Sequence, residues 1–97
     1  MTVTIRSQAN KEYAEIIAYY LAEETPQSAE RFQNEAKKAL NEIQLTPALH
    51  RVIEGNVRMK PLKAFPCSVV YSIERTEVIV LAFARMKRKF GYWNNQR

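Results

Sequence analysis

Six consecutive apolar residues, Val78 to Phe83 (VIVLAF), constrain this chain more than any other stretch. The run is short, rich in β-branched residues and preceded by the charged turn Glu74-Arg75-Thr76-Glu77. Those properties predict a strand buried on both faces. The strand leads straight into a cationic, aromatic segment: Arg85, Lys87, Arg88 and Lys89, then Phe90, Tyr92 and Trp93. A central strand running into such a segment places it at one edge of a sheet, which is the expected functional end of the molecule.

The elements upstream supply the layer that covers this strand. Thr2 to Arg6 alternates Val3 and Ile5 with polar neighbours, the pattern of a half-buried strand. Ser7 or Asn10 is a candidate cap for a first helix from about Lys11 to Glu23. Tyr13, Ile16, Ile17, Tyr20 and Leu21 form its apolar stripe, with Glu12, Glu15, Glu23 and Glu24 off it. Thr25-Pro26 then restarts the chain, with threonine as N-cap and proline at the first helical position, where its missing N–H costs nothing. A second helix runs to about Leu45, with Ala29, Phe32, Ala36, Ala39, Leu40 and Ile43 on one side. The short link predicts an antiparallel helical hairpin lying on one sheet face.

Thr46-Pro47 ends that helix, and Ala48 to Asn56 reads as a loop carrying a solvated His50. Val57 to Leu62 is the next strand, with Val57 and Met59 facing one way and Arg58 and Lys60 the other. Ser68 to Glu74 follows, with Val69, Tyr71 and Ile73 opposite Val70. On the last strand, simple alternation puts Ile79, Leu81, Phe83 and Arg85 on one face and Val78, Val80, Ala82 and Ala84 on the other. The expected fold is α+β, in the order β-α-α-β-β-β, an antiparallel sheet packed against a helical hairpin. The 97 residues form one domain, 1–97. Helices on one face only would leave an exposed apolar strip on the other, involving Val70 and part of the last strand.

Composition narrows the function. Residues 1–48 carry five cations against seven glutamates, and residues 49–97 carry ten cations against three. The second half is therefore expected to face an anion, either nucleic acid or an acidic protein segment. The absence of aspartate argues against two-metal nuclease chemistry, which needs clustered carboxylates. One cysteine, Cys67, and one histidine, His50, offer no metal site and no nucleophile–base pair. No phosphate-binding glycine loop is present, and no cofactor is expected. The longest apolar run is too short for a bilayer, MTVTIRSQ lacks a secretion-signal core, and a lone cysteine suits a reducing compartment. Together these point to the cytoplasm. What remains is cationic: Arg58 and Lys60 on one strand, Lys63 just after it, and Arg85 on another. If these strands are neighbours, Arg58, Lys60 and Arg85 could converge on one sheet face. Such a groove suits phosphate neutralisation with aromatic stacking.

Three stretches together carry a family resemblance. They are P-x-S-A-x-R-F at Pro26 to Phe32, F-P-x-x-V-x-Y at Phe65 to Tyr71, and V-L-A…K-R…Y-W from Val80 to Trp93. In this order and spacing the chain resembles the RelE/ParE superfamily, the toxin halves of type II toxin–antitoxin pairs, also described as plasmid stabilisation proteins. The resemblance implies growth inhibition and a cognate antitoxin whose acidic segment wraps the toxin. It offers two targets. RelE-like members cut mRNA on the ribosome without metal. On that pattern Arg58 and Lys60 would hold phosphate, Arg85 would stabilise the transition state and Tyr92 would move the proton. Arg85 stands where many relatives have histidine, which argues against histidine acid–base chemistry there. ParE-like members inhibit DNA gyrase, and the long, well-punctuated hairpin is more typical of them. On either pattern the cationic and aromatic residues Lys63, Lys87, Arg88, Lys89 and Trp93 are candidates for binding a target or nucleic acid. A degenerate toxin that keeps only antitoxin binding is the third reading.

Overall fold

The computed structural model describes residues 1–85. Strand β1 (Thr2–Ile5) leads into helices α1 (Ser7–Glu23) and α2 (Pro26–Leu45), then a 3-10 turn (Pro47–Leu49). Strands β2 (Arg51–Glu54), β3 (Val57–Pro61), β4 (Cys67–Glu74) and β5 (Glu77–Arg85) follow. They form one sheet in the order β1-β5-β4-β3-β2, with β5 internal. The α+β class, the helical hairpin and the order of elements along the chain foreseen from the sequence are present, with one strand more. Among the described residues no helix is long and apolar enough to cross a membrane.

The sheet is mixed rather than antiparallel, because β1 runs parallel to β5. A parallel pair needs a long crossover, and the whole chain from α1 to β4 supplies it. The added strand is β2, in a stretch expected to be a loop. Val52-Ile53 are β-branched and precede the Gly55-Asn56 turn, where Gly55 sits at φ +52° in the left-handed region that glycine tolerates. β2 and β3 therefore form a hairpin.

Helix α1 starts at Ser7, earlier than expected, and neither Ser7 nor Asn10 caps it. The Arg6 N–H donates to Val80 O at 3.1 Å and the Arg6 carbonyl accepts from Asn10 N at 3.0 Å. The chain thus turns from ladder to helix at Arg6, which has extended backbone and no side-chain cap bond. The cap of α2 is as expected: Thr25 Oγ1 accepts from Ser28 N at 3.1 Å, with Pro26 at the first position.

Both helices cover one sheet face. Tyr13, Tyr20, Phe32, Phe65 and Phe83 interlock at centroid separations of 5.2–5.9 Å, joining α1, α2, the β3–β4 connection and β5. Such tilted and edge-on pairs add about 0.5–1.5 kcal/mol each beyond simple burial. Ala29, Ala36 and Ala39 let α2 approach closely. The buried line of α1 is Ala9, Glu12, Ile16 and Tyr20. It is rotated from the expected stripe, so Leu21 is 53% exposed and Glu12 only 3%.

The faces of β5 also differ from simple alternation. Val70 pairs with Ala82 and Tyr71 with Val80, leaving Leu81 as an extra residue on β5. Such a bulge shifts the side-chain phase. Val78, Val80 and Phe83 therefore pack in the helix-side core, whereas Leu81 and Ala82 both join a second cluster with Val57 and Val70. Among the described residues the expected exposed strip is absent. These four residues are at most 1% exposed, and Ile53, Met59, Ile79 and Ala84 pack against them.

The bulge region also explains the buried Glu12. β1 pairs β5 only as far as Val80, so the β5 edge beyond it has no strand partner on that side among the described residues. Glu12 Oε1 accepts from the Phe83 N–H at 3.1 Å, which supplies what a buried donor requires. Glu12→Ala is expected to lower unfolding stability by about 2 kcal/mol, the scale for losing a bond to a charged acceptor. Glu12→Gln keeps an acceptor oxygen and should lose clearly less. Urea denaturation of the two variants checks this.

Candidate functional site

Arg58 and Lys60 alternate with Val57 and Met59 on β3, and they face the helices. Arg58 Nη1 donates to the carbonyls of Ala48 at 3.0 Å and His50 at 2.8 Å. It thereby ties the 3-10 turn and the start of β2 to β3. Lys60 Nζ lies 2.9 Å from Glu42 Oε2 on α2. The bond and charge of Lys60 hold the Glu42 carboxyl below its usual range, with help from Lys38 and Lys63.

Arg85 ends β5 on the same sheet face, next to Glu12, Glu15 and Phe83. The pairing runs from Lys60 to Val69 and from Val69 to Phe83. Arg85 is thus two strands away from Arg58 and Lys60, about 10 Å across the sheet, with buried Val69 and Phe83 between. The three side chains share a face, as expected, but the structure does not gather them into one open groove. Lys63 follows β3 and is exposed. Its N–H and that of Ala64 donate to Glu35 on α2. Lys87, Arg88, Lys89, Tyr92 and Trp93 lie outside the described residues.

The groups with chemical potential are quiet. Burial pushes the Cys67 thiol up to about 12, Glu12 adding to the effect and Arg85 opposing it. A thiol so shifted is a poor nucleophile at neutral pH. Burial likewise pushes Tyr71 up to about 12 against the opposing charge of Arg58. Its hydroxyl donates to Pro47 O at 2.6 Å. Among the described residues no group of three His, Cys, Asp or Glu is placed to hold a metal. Sequence reasoning missed one feature. A cleft of about 280 Å³ lies between α2 and the end of β3, with Lys38, Ala39, Lys60, Leu62 and Lys63 among its walls. The run Lys60-Pro61-Leu62-Lys63 was visible, but its juxtaposition with α2 was not.

The family model for the ParE toxin of type II toxin-antitoxin system, parDE, matches residues 3–90. The chain belongs to the ParE toxin family. It is thus a toxin of a type II toxin–antitoxin system, on the ParE side of the superfamily it resembles. A solved structure titled as the chromosomal ParDE TA system from P. aeruginosa has the same fold, with a TM-score of 0.78 at 18% identity. The match covers 90% of this chain and 97% of that one. No curated protein sequence matches significantly. In a ParDE system the implied partner of the ParE toxin is a cognate antitoxin.

His50 is not the solvated loop residue expected. Its Nε2 is buried with no hydrogen-bond partner among the described residues, and its ring meets Tyr71 edge-on at 6.3 Å. Burial lowers its pKa from an ordinary value of 6.5; Lys60 and Arg58 lower it further and Glu42 opposes. The unfolded chain therefore takes up this proton at a higher pH than this ParE fold does. The stability that His50 contributes is complete above the unfolded value of about 6.5 and is lost as pH falls below it. Urea midpoints at about pH 7.5 and about pH 5.5 should differ more for wild type than for His50→Gln. Equal differences would remove His50 from the account.

Proposed function

We propose that this toxin arrests bacterial growth by binding DNA gyrase, and that its cognate antitoxin silences it. Membership of the ParE family supports this reading, since ParE-like members act on gyrase. The observation that carries it over the ribosome-dependent RNA endonuclease is the engagement of Arg58 and Lys60. A phosphate clamp needs cations aimed at an open groove. Here Arg58 is bound to two carbonyls and Lys60 to Glu42. Arg85, the candidate transition-state group, stands two strands away. In this reading Arg58 and Lys60 hold the fold, and Lys63, Lys87, Arg88, Lys89 and Trp93 are the residues available for a target.

Two assays on the purified chain test this. In a gyrase supercoiling assay, the protein should inhibit supercoiling, and added antitoxin should restore it. In a ribosome-programmed assay, mRNA should stay intact. Site-specific cleavage in the ribosomal A site, with supercoiling untouched, would sink the gyrase reading. If cleavage were seen, loss of about a hundredfold or more in rate on Arg85→Ala would mark that residue as the transition-state donor.

A further inference from the structure

The sheet face turned away from the helices is buried, yet among the described residues no second layer lies over it. Val57 on β3, Val70 on β4, and Leu81 and Ala82 on β5 form its centre, with Ile53, Met59, Ile79 and Ala84 packed around them. Every one of these residues belongs to a strand. Both helices and Phe65 of the β3–β4 connection contribute to the other cluster, on the opposite face. Neighbouring strands stand about 4.8 Å apart, so their side chains shield one another laterally and leave their tips open to whatever lies above the sheet. The four central residues nonetheless keep at most 1% of their exposure. That burial is a property of one chain standing alone, so the cover comes from this chain and not from a second copy or a partner.

The chain continues from Arg85 through residues 86–97. It leaves β5 beside Ala84, which is part of this face. A segment of that length reaches about 40 Å when extended. The strand spacings from β5 across β4 and β3 to β2 sum to only about 14 Å. The composition of the segment fits both sides of such a crossing. Met86, Phe90, Tyr92 and Trp93 supply apolar surface, and an aromatic side chain can bury about 150–250 Å². Lys87, Arg88, Lys89 and Arg97 supply charge for the side that faces water. The tether at Arg85 favours this occupant over any free one, because docking is intramolecular.

We propose that residues 86–97 dock across this face, with the Trp93 ring as the principal anchor on Val57, Val70, Leu81 and Ala82. The docked segment presents Lys87, Arg88 and Lys89 on the side of the sheet away from the helices, with the sheet between them and Arg58 and Lys60. Trp93 then serves the fold, and the three cations are left to meet a target. Only that last use rests on the gyrase reading; the docking does not.

Trp93 is the only tryptophan, so the wild-type chain reports on it directly. In the purified full-length chain its emission should lie at shorter wavelength than in urea, and acrylamide should quench it several-fold less. Nuclear Overhauser contacts should join the Trp93 indole to methyl groups of Val57, Val70 or Leu81. No gyrase enters this test, so its outcome stands whichever way the supercoiling assay falls. Emission and quenching in the folded chain equal to those in urea would overturn the proposal. Indole contacts to Ile16, Tyr20 or Phe32 of the helix-side core would overturn it as well. Burial of Trp93 that disappears on dilution would assign the cover to a second copy, with the same consequence.

Discussion

Everything in this fold depends on burying β5 on both faces while satisfying its backbone. The strand lies between β1 and β4, but β1 is short and stops pairing at Val80. Beyond that point α1 takes over, and the buried carboxylate of Glu12 accepts from the Phe83 N–H. The bulge at Leu81 falls at the same place. It turns Phe83 toward the helices, where the ring contacts Tyr13 at 5.2 Å and joins the aromatic cluster. One irregular step in the strand therefore sets where α1 docks, which face of α1 is buried and where Arg85 ends up.

That same step marks the limit of what pattern reading could recover. The helical hairpin was legible because Thr25-Pro26 specifies a helix start by local chemistry alone. β3, β4 and the tight turn before β5 were legible for the same reason. Alternation along β5 was not, because a period of two assumes no inserted residue. Glu12 looked like a surface charge because its burial depends on an N–H 71 residues away. β2 was hidden because a four-residue edge strand offers little periodicity, although Val52-Ile53 before Gly55-Asn56 was a usable signal.

The candidate site divides in a similar way. The sequence shows which residues are cationic and that Arg58, Lys60 and Arg85 sit on strands. It does not show their partners, because the carbonyls of Ala48 and His50 and the carboxylate of Glu42 come from elements that only the folded chain brings near. Arg58 and Lys60 tie β3 to the 3-10 turn and to α2. His50, a lone histidine in a presumed loop, is packed against Tyr71 with a buried Nε2. The family was legible because it lies in short motifs distributed over nearly the whole chain, which distant pairings do not disturb.

The central claim is that Lys60 serves the fold and not a phosphate. Replacing an ion pair by apolar side chains of similar volume is often close to neutral for stability, whereas removing one partner is not. The most direct measurement is growth arrest by the Glu42→Met/Lys60→Met double variant, expressed without antitoxin and shown by circular dichroism to be folded. Arrest as strong as that of wild type is the predicted result. A folded double variant that no longer arrests growth would contradict it and return Lys60 to the toxic site.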